Sequence, residues 1–71
     1  MEKTLITITI NGLECAFYPP FSVLQLTDYI GFNKNVIVID YNGFILESEF
    51  WKTTLLQPND YLEIVAMAGG G

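Results

Sequence analysis

The stretch TLITITINGLECAFY at residues 4–18 decides the fold, because two strand patterns flank a tight-turn signal. Residues 4–10 alternate apolar side chains and threonine with a period of two, which predicts a strand with one buried face. Asn11-Gly12 is a preferred pair for a two-residue hairpin loop, and the alternation resumes after it. Such a loop places three apolar pairs on one side of the sheet: Ile6 with Phe17, Ile8 with Cys15, and Ile10 with Leu13.

Cys15, the single cysteine of the chain, is predicted to be a small buried core residue. The hairpin register places it among isoleucines, and no histidine or lysine adjoins it to activate the thiol. One cysteine excludes an internal disulfide and fits a reducing compartment. We therefore expect Cys15 to pack in the core rather than to act as a nucleophile or a sulfur relay.

A short helix is predicted to begin at Val23. Ser22 is a good N-cap, Gln25 stands at the capping-box position, and Gly31 supplies a left-handed stop. Four residues share one face at helical spacing: Val23, Leu26, Thr27 and Ile30. A helix of about two turns is not stable alone, so it is expected to cover the apolar face of the hairpin.

The rest of the chain alternates strands and turns. In order, the patterns predict a third strand at 36–41, a turn at Asn42-Gly43, a short strand at 44–46, a capped helical turn at 48–51, a turn at 57–60 and a last strand at 61–67. Phe50 and Trp51 of the helical turn are expected to close the open end of the core.

The element order β-β-α-β-β-β with one helix favours an α+β fold. If the first and last strands are parallel neighbours at the centre, the result is a ubiquitin-like β-grasp roll. Its mixed sheet has four to five strands in the order 2-1-5-3-4, with the helix on one face. We expect a single domain at 1–67 and a flexible glycine tail at 68–71. By alternation, Val65 and Met67 lie on the solvent side of the last strand, together with Val36 and Val38.

Composition limits the function classes. Hydrophobic residues make up 51% of the 71 positions, too many for a disordered chain, and no apolar run is long enough to span a membrane. Eight acidic residues against three lysines give a net charge of −5, which excludes a surface that follows nucleic-acid phosphates. An acidic surface favours partners with basic docking sites, although it also serves solubility. The N-terminus shows no signal segment, so we expect the protein in the cytoplasm, or in the plastid stroma if its gene is organellar.

The last strand, YLEIV at 61–65, continues through Ala66-Met67-Ala68 into Gly69, Gly70 and Gly71. With this ending the chain resembles the ThiS family, the sulfur carrier proteins of thiamine biosynthesis, and also the related small subunit of molybdopterin synthase. The remaining likenesses are the Asn11-Gly12 hairpin, SVLQL at 22–26, VIVI at 36–39, EFW at 49–51 and PND at 58–60. Asn59 stands where the family usually has glycine, and asparagine also tolerates a left-handed turn.

The resemblance implies a chemistry for the terminal carboxylate. A carboxylate is a poor electrophile and must be activated before sulfur can replace an oxygen. In the family, a ubiquitin-activating-like enzyme of the ThiF type uses Mg-ATP to adenylate the terminal glycine, here Gly71. Sulfur from a cysteine desulfurase or another donor then gives a thiocarboxylate, which a ThiG-type thiazole synthase consumes. Because glycine has no side chain, Gly69 and Gly70 are expected to thread the partner's channel. The strand pattern leaves Val65 and Met67 exposed just before this tail, so we predict that they dock on the activating enzyme, and we expect the chain itself to bind no cofactor.

Other functions stay open at this point. A related carrier for molybdopterin or tRNA thiolation, a ubiquitin-like protein modifier and a plain binding module would all use a similar fold. An enzyme is disfavoured, because the chain has no histidine, one core-facing cysteine and no clustered carboxylates. The single cysteine and the lack of clustered carboxylates also argue against a metal site. A β-grasp ferredoxin would need four cysteine ligands.

Overall fold

The structure, a computed structural model, describes residues 4–67. The strands and the helix are β1 (Ile6–Ile10), β2 (Leu13–Phe17), α1 (Val23–Ile30), β3 (Ile37–Tyr41), β4 (Phe44–Ile45) and β5 (Tyr61–Ala66). Two 3-10 turns lie at Lys34–Val36 and Ser48–Phe50. Within the described range, no helix is both long and apolar enough to cross a membrane. The predicted tail at 68–71 lies outside the described residues.

The five strands form one sheet in the order β2-β1-β5-β3-β4, as the sequence predicted. β1 and β5 are parallel neighbours, and the other pairings are antiparallel. The hairpin register is also the predicted one, since Ile8 lies opposite Cys15 and Ile6 opposite Phe17. Asn11 and Gly12 both have positive φ, at 51° and 84°, as a tight hairpin turn requires.

The helix α1 contributes to a core shared with the sheet. Val23 and Leu26 are fully buried in the same cluster as Ile8, Ile39 and Leu62. Burying one such aliphatic side chain contributes about 1.5–3 kcal/mol, so a domain of this size depends on each of them. Thr27 of the predicted face is buried as well, but Ile30 is 44% exposed, because the helix ends there and Ile30 borders an open cleft.

Both ends of α1 carry the predicted caps. The backbone N–H of Gln25 donates to Ser22 Oγ at 3.0 Å, and the Ser22 N–H donates to Gln25 Oε1 at 2.8 Å. This reciprocal pair satisfies donors that the first helical turn leaves free. At the other end Gly31 has φ 94° and donates to the Thr27 carbonyl oxygen at 3.0 Å. The capping-box and left-handed-stop predictions are confirmed.

Three local predictions are wrong. The turn at Ser48–Phe50 has Glu47 at its N-cap with no side-chain hydrogen bond, so it is not capped by Ser48. Of its two aromatic residues, only Trp51 closes the core: it is 3% exposed and its Nε1 donates to the Leu46 carbonyl at 2.9 Å. Phe50 is half exposed, because neighbouring side chains on a single turn point in different directions.

The third wrong prediction concerns the start of β3 and the exposure of its valines. Lys34–Val36 is a 3-10 turn in which the Asn33 side chain accepts from the Asn35 N–H at 3.0 Å, so the strand starts one residue later, at Ile37. Val36 and Val38 are half-buried rather than fully on the solvent side. Val38 lies opposite Val65 on the neighbouring strand β5, a position at which cross-strand side chains are close neighbours.

Candidate functional site

The site that the sequence predicts lies at the C-terminal end of β5. Val65 is 58% exposed and Met67 is 50% exposed, so both predicted docking residues present apolar surface. Gly69, Gly70 and Gly71 lie outside the described residues. The two predicted docking residues therefore lie at the end of the central strand, just before the predicted glycine tail.

β5 is held unequally by its two neighbours. On the β3 side the pairing runs from Leu62 to Ala66, and the Met67 N–H then donates to the Val36 carbonyl at 2.6 Å. On the β1 side only two residue pairs form, and the second joins Ile10 to Leu62. Because β1 ends at Ile10, the last part of β5 extends past its parallel neighbour.

The side chain of Asn11 continues the pairing where β1 stops. The Ile64 N–H donates to Asn11 Oδ1 at 2.7 Å, and Asn11 Nδ2 donates to the Ile64 carbonyl at 3.2 Å. The backbone N–H of Asn11 donates to the Leu62 carbonyl at 2.9 Å. A primary amide thus binds both backbone groups of Ile64, as a peptide unit of a neighbouring strand would.

Asn42, in the second Asn-Gly turn, binds the start of β5 with one side-chain and one backbone hydrogen bond. The Tyr61 N–H donates to Asn42 Oδ1 and the Asn42 N–H donates to the Tyr61 carbonyl, both at 2.8 Å. Asn42 Nδ2 also donates to Asp60 Oδ1 at 3.0 Å. Asn42 and Gly43 have φ 52° and 96°, so this turn has the same conformation as the first.

Asp60, the residue just before β5, is buried although it lies in a turn. It is 6% exposed, and its carboxylate accepts from the Tyr41 hydroxyl at 2.5 Å, from Asn42 Nδ2 and from the Gln57 N–H at 2.8 Å. A carboxylate with three donors can be buried because its charge is compensated by hydrogen bonds. The pKa of Tyr41 is raised to about 12. Burial is the largest cause, followed by the hydrogen bond to Asp60 and the negative charge of the Asp60 carboxylate. Asp60 therefore fixes the loop before β5 and is not a docking residue.

The face of the sheet opposite α1, here called the open face, combines apolar and acidic side chains. By strand alternation and register its members are Thr7, Thr9, Glu14, Ala16, Val38, Asp40, Ile45, Tyr61, Glu63 and Val65. Three of these are acidic, whereas the two lysines within residues 4–67 lie outside the strands. Tyr61 donates to Glu63 at 3.1 Å, and this hydrogen bond raises the pKa of Tyr61. The open face is therefore suited to a partner surface with apolar and basic groups.

Cys15 differs from its predicted environment. It is half-buried and lines an open apolar cleft of about 200 Å³ between the hairpin and the end of α1. The other lining residues are Ile10, Asn11, Leu13, Ile30 and Phe32. The cleft exists because β2 is an edge strand and α1 stops at Ile30, so no element within residues 4–67 covers this part of the apolar face. Cys15 still packs against the apolar core, as predicted.

Within the part of the chain that the structure describes, no group of three or more histidine, cysteine, aspartate or glutamate residues could hold a metal ion.

Sequence patterns missed Asn11 and Asn42 as anchors of β5. The Asn-Gly pairs gave a turn signal, but the partners of the two amides are 53 and 19 residues away in the chain.

Comparison with known proteins identifies the family. The profile of the ThiS family matches residues 8–71, which is most of the chain. The chain belongs to the ThiS family. This membership agrees with the resemblance in the sequence and supports a role as a sulfur carrier.

Curated relatives of this ThiS-family chain include the uncharacterized protein ycf40 of Trieres chinensis, which is 35% identical over 97% of this chain and 94% of its own length. Ycf40 of Pyropia yezoensis is 32% identical over the full length of both chains. Among solved structures, the thiamine biosynthesis protein ThiS of Geobacter metallireducens matches with a TM-score of 0.80 and 23% identity, over 93% of this chain and 100% of that one. This structural match confirms the β-grasp fold.

Proposed function

We propose that this protein is a sulfur carrier whose terminal Gly71 carboxylate is adenylated, converted to a thiocarboxylate, and used as the sulfur source for the thiazole of thiamine. The observation that carries the proposal is membership of the ThiS family over residues 8–71, a match that includes the terminal glycines. The relation to a protein described as ThiS of thiamine biosynthesis supports the thiazole branch.

The proposed activation requires a partner enzyme. A ThiF-type enzyme with Mg-ATP would join the Gly71 carboxylate to AMP and release pyrophosphate, which converts an unreactive carboxylate into an acyl-adenylate. The terminal sulfur of a cysteine desulfurase persulfide would then displace AMP and form an acyl disulfide, which a thiol would reduce to the thiocarboxylate while that thiol is oxidised to a disulfide. A sulfide donor would displace AMP and give the thiocarboxylate directly. A ThiG-type thiazole synthase would take the sulfur from the resulting thiocarboxylate. The carrier contributes the reacting end and the surface that presents it, and the partners contribute the catalytic groups.

The geometry of β5 supports this division of roles. β5 lies in the middle of the sheet and is anchored at both ends, whereas the predicted docking residues Val65 and Met67 are exposed just before the tail. The four residues beyond Met67, if fully extended, could carry a carboxylate about 13–14 Å from it. Glycine at 69–71 would let such a segment enter a narrow channel.

Intact-mass analysis of the protein from its native cell tests the proposed chemistry. A population heavier by the replacement of one oxygen with sulfur, mapped to the C-terminal peptide, is the expected result. Deletion of Gly71 should abolish adenylation by the ThiF-type enzyme while the melting curve stays unchanged, because the core ends before the tail. Normal adenylation of the truncated chain, which still ends in a glycine carboxylate, would refute the assignment of the reacting group to Gly71.

The acceptor of the sulfur separates the thiazole carrier from its relatives. Thiocarboxylated protein should support turnover by a ThiG-type thiazole synthase and should not support a molybdopterin synthase large subunit or a tRNA thiolase. The opposite pattern would assign the chain to one of those pathways. Isopeptide bonds between Gly71 and target lysines, without thiocarboxylate, would identify it as a protein modifier.

A further inference from the structure

β5 loses its backbone partner on one edge just before the docking residues. The register with β1 ends at Ile10 and Leu62, so the β1 side of Ile64 is bound by the Asn11 side chain alone. Met67 donates to Val36, which shows that the odd-numbered residues at this end direct their backbone groups toward β3. Ala66 therefore faces the same side as Ile64, and Asn11 is the last residue that binds this edge within the described chain.

Position 11 requires two properties that asparagine combines. Its φ of 51° lies in the left-handed region, which asparagine and glycine adopt more readily than other residues. Its side chain must also present one acceptor and one donor to Ile64. Glycine would meet the first requirement only, and aspartate would keep the acceptor but replace the donor with a second carboxylate oxygen near the Ile64 carbonyl.

We propose that Asn11 is a positioning residue that fixes the direction in which the segment from Val65 onward leaves the sheet. Without its amide, Ile64 and the following residues would be held by β3 alone and could rotate about that single pairing. The next step rests on the proposed carrier function. If the Asn11 amide is lost, the terminal carboxylate would reach the adenylation site less often in an orientation that permits reaction. Misplacement by about 1 Å at a reacting group is enough to reduce a rate strongly.

Asn42 offers a matched control for Asn11. Both asparagines begin an Asn-Gly turn with positive φ, and both bind β5 backbone through the side chain. They differ in place, since Asn42 binds Tyr61 at the start of the strand and Asn11 binds Ile64 near its end. Asn11→Gly and Asn42→Gly keep their turns, and only the first removes a contact next to the departing segment.

The first measurement needs no partner enzyme. Amide hydrogen exchange and ¹⁵N relaxation at residues 64–67 are compared in the wild type, Asn11→Gly and Asn42→Gly. We expect exchange at Ile64, whose N–H loses its acceptor, to accelerate roughly 3- to 10-fold in Asn11→Gly, and exchange at Met67, whose N–H is bound to Val36, to accelerate as well, with much smaller changes in Asn42→Gly. Unchanged exchange and relaxation at 64–67 in Asn11→Gly would overturn the proposal, whether or not the protein is a carrier.

The second measurement uses the ThiF-type enzyme with Mg-ATP at a temperature where all variants are folded. For Asn11→Gly we expect kcat for adenylation to fall roughly 3- to 10-fold with KM within about twofold, because Val65 remains paired with β3 on the open face. Asn42→Gly should keep the wild-type kcat. Equal values of kcat for Asn11→Gly and wild type would overturn the proposal but leave the carrier function intact, whereas no adenylation of the wild type would refute the carrier function itself.

Asn11→Asp serves if the glycine variant fails to fold. It preserves the turn and the acceptor for the Ile64 N–H but removes the donor to the Ile64 carbonyl, so we expect changes in exchange and kcat between those of the wild type and of Asn11→Gly. Wild-type behaviour of Asn11→Asp in both measurements would contradict the role of the amide.

Discussion

The hydroxyl of Tyr41 donates to Asp60 Oδ2 at 2.5 Å and connects the end of β3 to the residue just before β5. Asp60 also accepts from Asn42 and from the backbone of Gln57, so one buried carboxylate joins two loops at the start of the central strand. This contact therefore ties the start of β5 to the end of β3.

Tyr41→Phe should lower the free energy of unfolding by about 2 kcal/mol at neutral pH, the usual contribution of a hydrogen bond to a charged group. Asp60 keeps its other two donors, so the variant should still fold. Urea unfolding followed by circular dichroism measures the effect. Tyr61→Phe, which removes an exposed hydroxyl bound to Glu63, is the control and should unfold nearly as the wild type does. Equal losses in the two variants would contradict a specific role of the Tyr41 contact.

The raised pKa of Tyr41 predicts a loss of stability in alkaline solution. Its value in the folded protein is about 12, against 10.0 for an ordinary tyrosine. The unfolded chain therefore releases this proton first, and the stabilisation that is complete below pH 10 is lost as the pH rises toward 12. Unfolding curves at a series of pH values should show a steeper alkaline decline for the wild type than for Tyr41→Phe. Parallel declines would mean that other groups determine alkaline unfolding.

The docking prediction for β5 concerns the ThiF-type enzyme. Val65→Ser with Met67→Ser should weaken the complex by about 2–4 kcal/mol, as the loss of buried interface anchors does, without unfolding the carrier. Leu13→Ser with Leu55→Ser is a control of similar exposed area, since Leu13 lies on the helix side of the sheet and Leu55 in a loop. Titration calorimetry should separate the two pairs, and equal affinities would remove the end of β5 as the docking site.

Salt gives a second test of that interface. The open face carries Glu14, Asp40 and Glu63, so higher ionic strength should slow association more than it speeds dissociation. Stopped-flow measurements at several salt concentrations supply both rates. An association rate that does not depend on salt would mean that this acidic face is not used in the encounter.

Cys15→Ala should cost about 1 kcal/mol of stability, because the thiol is half-buried against apolar residues and its removal enlarges a cleft that is already open. Adenylation and sulfur loading should be unchanged. Melting curves and intact-mass analysis of loaded protein measure the two effects. A folded variant that is adenylated but receives no sulfur would show that Cys15 takes part in the chemistry.

Features that depend on near neighbours in the chain could be predicted from sequence. The threonine and isoleucine alternation in β1, the two Asn-Gly turns and the Ser22 cap are set by interactions within a few residues, and each is present in the structure. The sheet order could be predicted from the order of the elements, because few arrangements of one helix and five strands bury a single apolar face.

Tertiary structure alone decided which polar groups meet across the sheet. Asn11 binds Ile64, and Asp60 binds Tyr41, at separations of 53 and 19 residues, and no local pattern encodes such a partner. The half-exposed position of Cys15 likewise depends on where α1 stops above the hairpin. The sequence determined which residues turn or alternate, since those preferences are local. The anchoring of β5 depends on the folded chain, because β5 extends past β1 and leaves backbone groups without a strand partner. Side chains that are distant in sequence supply the missing hydrogen bonds.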